Sequence, residues 1–278
     1  MVVSSQGGFL ARASADARLA AERRAERLPL RAVQQAAAAA PPPRGFAAAL
    51  ARRGAGQRGP GREVALIAEV KRRSPSKGDL RPHLDPAGLA RAYQRGGASA
   101  ISVLTEPLHF AGSPADLRAV RAAVEAPVLR KDFVTIPYQV WEARAWGADA
   151  VLLIVAALEG EQLADLLAEA TAAGLDALVE VHTREEAAVA AKAGAALVGV
   201  NARDLATLTV DPGRFAAVRD ALSAGVTLVA ESGIRTPADV EAAASAGADA
   251  VLVGETLVLA ADPAATAADL LGRRVSRG

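Results

Sequence analysis

The sequence predicts an α/β fold, a (β/α)8 TIM barrel behind an N-terminal helical extension. Three observations carry that expectation. Eight short apolar runs follow one another from Val64 onward, alanine-rich segments of helical spacing separate them, and one Gly-Ala pattern returns at nearly even intervals. The length of 278 residues suits the fold, since single barrels of this type run near ~250 residues.

Residues 1–62 precede the runs. They carry eleven arginines against Asp16, Glu22 and Glu26, a net of +8, whereas the other residues hold 21 basic and 28 acidic side chains, a net of −7. Transit peptides and nucleic-acid arms share such an arginine-rich, acid-poor start. Leu19, Leu28 and Leu30 are interspersed in the basic run, and the simpler expectation is a surface helix laid against the body. That helix must end where Ala36–Ala40 meets Pro41, Pro42 and Pro43, because proline lacks the donor and its ring clashes with the previous turn. Gly54–Gly61 reads as a loop. The expected division is an extension and linker at 1–62 and the barrel at 63–278.

The eight runs are 64–70, 100–105, 127–133, 149–156, 176–181, 196–201, 226–231 and 249–254. Continuous Val, Ile and Leu, rather than strict alternation, indicates strands covered on both faces, as in a parallel sheet. Segments such as 161–173 and 236–246 have helical spacing. Strand–helix alternation of this kind leaves a closed barrel or a doubly wound sheet. The internal echo decides between them. Gly-Ala-x-Ala or its close variant begins at Gly97, Gly147, Gly194 and Gly247, with offsets of 50, 47 and 53 residues. Each glycine suits a left-handed helix cap, and a repeat every two βα units suits a barrel whose interior layers draw on alternate strands. No Gly-x-Gly-x-x-Gly follows the first run, which weakens a dinucleotide-binding sheet.

Composition excludes several functions. With 51% hydrophobic and 23% charged residues, wholesale disorder is excluded. The absence of cysteine excludes disulfides, thiolate metal sites and cysteine nucleophiles. His83, His109 and His182 are too dispersed for an obvious metal motif. At 3%, aromatics are too few for a single-strand stacking platform, and a net charge of +1 selects no polyanion. No apolar run reaches the ~18 residues of a membrane span; the longest, Ala148–Leu158, contains Asp149.

The chemistry of such a barrel sits at the carboxyl ends of its strands. The first run ends in Glu69 and Lys71, the second in Thr105 and Glu106, the third in Lys131 and Asp132. The fifth ends in Glu180 and His182, the sixth in Asn201 and Arg203, the seventh in Glu231 and Ser232, and the fourth ends apolar. Glu69 and Lys71 are two apart and so face the same side. Any one of these could be a rim salt bridge. Their convergence on one rim points instead to acid–base chemistry, where paired lysines and carboxylates shift each other's pKa. A second signal concerns phosphate. Ser232-Gly233 and Gly254-Glu255 follow the seventh and eighth runs, where backbone N–H groups at turns and helix starts form a phosphate cradle in many barrels. Ser74 in Ser74-Pro75-Ser76-Lys77-Gly78 could add a hydroxyl donor on a mobile loop, unless the segment is a plain proline turn.

Ile67-Ala68-Glu69-Val70-Lys71-x-x-Ser74-Pro75-Ser76-Lys77-Gly78 resembles the signature of the indole-3-glycerol phosphate synthase family. The resemblance continues in order through Ser102-Val103-Leu104-Thr105-Glu106, Phe110-x-Gly112-Ser113, Leu129-Arg130-Lys131-Asp132-Phe133 and Glu180-Val181-His182. It runs on through Gly199-Val200-Asn201-x-Arg203-Asp204-Leu205, Ala230-Glu231-Ser232-Gly233-Ile234 and Leu252-Val253-Gly254-Glu255. It covers essentially 64–260 and departs at Ala202, where many members carry a second asparagine. Residues 1–62 are the least family-like part, although a helix before the barrel fits the family.

The resemblance implies cyclisation of 1-(2-carboxyphenylamino)-1-deoxyribulose 5-phosphate with loss of carbon dioxide and water, in tryptophan biosynthesis. Lys131 is then the candidate acid, made readier to give up its proton by neighbouring cations. Lys71 would hold the substrate carboxylate and compete for the acid role in dehydration. Glu180 would be base or counter-charge, with Glu69 orienting both lysines. Asn201 and Glu231 would bond the sugar hydroxyls, and Arg203 would orient Glu180 or substrate. Phe110, Phe133 and Leu205 would line the slot for the flat ring. Ser74, Ser232, Gly233, Gly254 and Glu255 would surround the phosphate. The implied partner is a phosphorylated small molecule, with no nucleic acid, membrane, metal or cofactor, in a cytoplasmic monomer or weak homodimer. Two alternatives remain. A phosphoribosylanthranilate isomerase would share the cradle but is expected to use a cysteine base; a nucleic-acid role would rest on the basic arm.

Overall fold

The computed structural model describes residues 7–51, 63–203, 209, 211 and 213–273. The expected loop at 54–61 lies outside the described residues. Two helices, α1 (Gly7–Arg27) and α2 (Leu30–Ala39), replace the single surface helix expected, because Pro29 interrupts the run and becomes the N-cap of the second. Helix α2 ends at the expected place, with Ala40 already extended before the prolines.

The leucines are not what holds these helices down. Leu19, Leu28 and Leu30 are exposed, whereas Leu10, Ala13, Ala21, Val33 and Ala37 are buried. Small alanines let the helix backbones approach the body closely, and these three leucines are left outside with the arginines. A short helix α3 (Phe46–Leu50) follows, and its Phe46 and Leu50 are fully buried.

The eight strands form where the runs predicted. They are β1 (Ala65–Val70), β2 (Ala100–Leu104), β3 (Val128–Lys131), β4 (Ala150–Ile154), β5 (Asp176–Val181), β6 (Leu197–Asn201), β7 (Thr227–Glu231) and β8 (Ala250–Val253). All neighbours are parallel, and β1 pairs with both β2 and β8, so the barrel is closed. Helices α4 (Pro86–Arg95), α5 (Pro107–Phe110), α6 (Pro114–Ala123), α7 (Pro137–Ala145) and α8 (Gln162–Ala172) connect the first five strands. Helices α9 (Arg184–Lys192), α10 (Arg214–Arg219), α11 (Pro237–Ala246), α12 (Glu255–Val258) and α13 (Pro263–Leu270) complete the ring. Asp85, Ser113, Thr183, Thr236 and Asp262 cap α4, α6, α9, α11 and α13 through their side chains, satisfying amides the first turn leaves unpaired. The echo glycines follow α4, α7, α9 and α11 in left-handed geometry, from 81° at Gly194 to 106° at Gly247.

Side-chain alternation splits the core in two. One cluster lies between sheet and helices. The other fills the barrel with Ile67, Leu129, Leu178, Leu197, Val229 and Leu252, and α3 adds Phe46 and Leu50 to it. Burying each such side chain stabilises by about 1.5–3 kcal/mol. Backbone amides of Arg44 and Ala47 bond Asp149 and Asp176 at the amino ends of β4 and β5, which places α3 as a plug on the barrel floor. Two residues beyond Ile67, Leu129, Leu178 and Val229 on the same inward face stand Glu69, Lys131, Glu180 and Glu231. The apolar interior thus ends in a charged layer at the mouth.

Candidate active site

That layer is a lysine–carboxylate cluster. Lys71 Nζ lies 2.8 Å from Glu69 Oε1, and Lys131 Nζ lies 3.7 Å from Glu69 Oε2, so one carboxylate spans both lysines. Lys131 also meets Glu231 Oε2 at 2.8 Å and Glu180 Oε2 at 3.8 Å. The expectation that cations would surround Lys131 is therefore corrected: its partners are three carboxylates. Burial opposes its charge, but Glu231, Glu69 and Glu180 outweigh burial and hold the ammonium well above the ordinary lysine value.

The three carboxylates divide. Burial works against Glu69, but Lys71 and then Lys131 overcome it and keep its pKa low. Burial also opposes the Glu180 charge; the His182 ring beside it, then Lys131, brings it down to about 2. Glu231 goes the other way. Burial, reinforced by Glu180 and Glu69 against Lys131, pushes it up to about 7.

Asn201 holds this layer from the side. Its Nδ2 donates to Glu180 Oε1 at 3.0 Å, while its Oδ1 accepts from Ser232 Oγ at 2.8 Å and from the Arg203 amide at 3.0 Å. The amide that was expected to meet a sugar hydroxyl is thus engaged with Glu180. Arg203 lines the mouth cavity. Leu205 lies outside the described residues.

Ser232 and Gly233 both adopt left-handed backbone, φ 69° and 82°. For a serine this costs about 1–3 kcal/mol, and the bond to Asn201 helps to fix it. Gly254 has a steric part besides the one expected. A side chain there would come within 2.4 Å of Glu69 Oε1 and 2.8 Å of Lys71 Nζ, so the glycine makes room for that ion pair. Glu255 begins α12 beside it and lines the cavity, as do Ser74 and Gly233.

The apolar wall is formed by Phe110 and Phe133, with ring centroids 6.3 Å apart. Glu106, one of the rim residues, accepts from the amides of Leu108, His109 and Phe110 and so caps the helix that presents Phe110. Asp132 is tied down at the cavity wall, bonding Thr105 Oγ1 at 2.6 Å and Arg130 Nη2 at 2.8 Å. Arg130 is buried over the Trp146 ring at 4.3 Å and lies 3.6 Å from Glu142, which Arg24 of α1 also holds at 2.6 Å and 2.8 Å.

Sequence reasoning missed Phe9 and Leu10. Both line the cavity, and Phe9 packs edge-on to His109 at 4.9 Å and Phe133 at 6.3 Å. A helical apolar pair far upstream of every motif gives no signal of where its helix docks. It also missed Arg130, whose buried charge was visible only as one letter of a motif.

Fold and cluster define the class of (β/α)8-barrel enzymes, with a lysine–carboxylate cavity at the carboxyl ends of the strands. The indole-3-glycerol phosphate synthase family model matches residues 10–270, and the chain belongs to that family. An indole-3-glycerol phosphate synthase of Kineococcus radiotolerans is 60% identical over 210 residues, covering 76% of this chain and 77% of its own. Another, of Mycolicibacterium gilvum, is 59% identical over 214 residues, covering 77% and 78%. Among solved structures, a 3-hexulose-6-phosphate synthase superposes with a TM-score of 0.60 at 20% identity, over 75% of this chain and 99% of its own. Thiamine phosphate pyrophosphorylase from Pyrococcus furiosus gives 0.57 at 19%, over 74% and 93%. These two likenesses concern the fold alone. Among the described residues no helix is long and apolar enough to cross a membrane.

Proposed function

We propose that this chain closes the indole ring of 1-(2-carboxyphenylamino)-1-deoxyribulose 5-phosphate to give indole-3-glycerol phosphate, carbon dioxide and water. Family membership supports the reading, and one observation carries its mechanism: a largely covered Lys131 ammonium held among Glu231, Glu69 and Glu180. As the ring carbon attacks the ketone, negative charge grows on oxygen, and Lys131 protonates it. An alkoxide is a stronger base than an amine, so the transfer runs downhill even from a lysine stabilised by carboxylates. Lys71 pairs with the substrate carboxylate until carbon dioxide leaves, and then serves the dehydration. Glu180 takes the C–H proton that leaves with water as the five-membered ring becomes aromatic, or balances the iminium charge present until carbon dioxide departs. Glu69 sets the spacing of the two lysines.

Phe110 and Phe133 enclose the flat ring, and Asn201 keeps Glu180 turned toward it. The Ser232–Gly233 turn, Ser74 and the Gly254–Glu255 backbone receive the phosphate, and Arg203 borders the sugar end. Residues 1–62 serve as the extension of the barrel at 63–278. The working form is a cytoplasmic monomer or weak homodimer that needs no cofactor. The test is direct. Purified enzyme given the substrate should produce indole fluorescence together with carbon dioxide in equal amounts; no fluorescence with intact fold would overturn the reading.

A further inference from the structure

Beside the mouth lies an ionisable side chain that this chemistry leaves unused. His182 follows Glu180 by two residues and so faces the same side. Its ring is nine-tenths buried and lies between two carboxylates. Nε2 is 3.3 Å from Glu180 Oε1, an ionic contact off the hydrogen-bond line, and Nδ1 is 3.2 Å from Glu186 Oε2. The same Glu186 oxygen accepts from the His182 amide at 2.6 Å, and the Glu186 amide is capped by Thr183 Oγ1 at 3.2 Å. The first turn of α9 therefore braces the ring.

A neutral imidazole has one N–H, so one of the two carboxylates would face a lone pair; only the imidazolium serves both. Burial opposes that charge, but the Glu180 and Glu186 carboxylates against the ring overcome it and lift it to about 10. The charged groups on it are Glu180 from β5 and Glu186 from α9. Asn201 from β6 and Lys131 from β3 face Glu180 itself, the amide on Oε1 and the ammonium on Oε2. His182 and Asn201 thus occupy one oxygen of Glu180 and leave the other to the reacting side.

Resting on the proposed function, we propose that His182 is a positioning residue: an imidazolium braced by Glu186 that keeps Glu180 ionised and its Oε2 turned toward Lys131. It touches no substrate atom.

The experiment uses the full chain and two readouts. Imidazole nitrogen NMR follows the three histidines, with His182 assigned by its loss in His182→Asn. The His182 ring should stay cationic from pH 6 to pH 9; titration near the ordinary imidazole value of about 6.5 would overturn the proposal. In kinetics, His182→Asn should lower kcat about tenfold or more and change KM by less than about twofold. The acid limb of kcat/KM should rise by about one pH unit or more, because a neighbouring cation has been removed. Glu186→Gln should shift both readouts the same way by less, and His182→Lys should recover part of the turnover. A folded His182→Asn enzyme with unmoved acid limb and full kcat would sink the proposal. If that variant does not fold, Glu186→Gln and the parent NMR titration decide. If the parent makes no indole product, the function reading falls, and the NMR titration still decides whether His182 is a cation.

Discussion

Lys131 Nζ lies 2.8 Å from Glu231 Oε2, while the other oxygen of that carboxylate is buried without a hydrogen-bond partner. The bare oxygen fits over Gly199, where a side chain would stand 2.0 Å from it. Glu69 and Glu180 each have a second cationic partner, in Lys71 and His182. Glu231 has none among the contacts described. When one of the three carboxylates must take a proton, Glu231 is the one.

This division gives stability a definite pH profile. Glu180 titrates near 2 when folded and 4.5 when unfolded, so the unfolded chain binds more protons in that window and stability rises as pH rises through it. Glu231 titrates near 7 when folded against 4.5, so there the folded chain binds more protons and stability falls as pH rises from 4.5 to 7. His182, raised from 6.5 to about 10, adds a decline above that. Urea midpoints measured against pH should therefore peak near 4.5 in these terms. Glu231→Gln should flatten the decline between 4.5 and 7 and keep the acid slope; an unchanged decline in that variant would refute the assignment.

Phe9 joins the extension to the ring slot. Its edge contacts are of a kind worth about 0.5–1.5 kcal/mol, so Phe9→Ala should raise KM about 2- to 10-fold with a smaller effect on kcat. Removing residues 1–40 should do more, since Leu10 and the Arg24–Glu142 pair go too. Steady-state kinetics that match the parent after this deletion would mean that the extension does not complete the site.

Much of the site was legible because strand geometry is local. Alternation places Glu69, Lys131, Glu180 and Glu231 on the inward face two residues beyond the apolar layer, and the fourth strand does end apolar at Ile154. The charge environment was not legible, since Lys131 receives Glu231 from a strand 100 residues away. The extension was misread for a related reason. Leucines mark a helix's buried side only when the body offers a pocket for them, and here alanines face the body while Leu19, Leu28 and Leu30 face solvent. Gly254 was read for its backbone alone, and the steric allowance it makes for Glu69 and Lys71 needed the fold.

The loop after β1 is a small ribbon, with Arg73–Ser74 antiparallel to Gly78–Asp79. Its base is fixed by the Arg72–Asp116 pair, with Nη2 to Oδ1 at 2.9 Å, and by the Leu80 amide on the Arg72 carbonyl. The tip is held by the exposed Arg73–Asp79 pair, worth about 0–1 kcal/mol, and by the Lys77 amide on Ser74 Oγ at 3.2 Å. Gly78 has φ 69°, which a proline cannot adopt and which strains an alanine by about 1–2 kcal/mol. Hydrogen exchange at residues 74–79 should slow when product is bound, and Gly78→Ala should alter kcat and KM together. Equal protection with and without product would leave the tip static.

The central claim is that Lys131 delivers the proton. The most direct measurement is single-turnover and steady-state kinetics of Lys131→Ala at saturating substrate, with substrate affinity measured separately. Turnover should fall on the order of 10² or more while affinity changes little, because an acid acts chiefly in the transition state. Turnover near that of the parent, with the fold intact, would contradict the account.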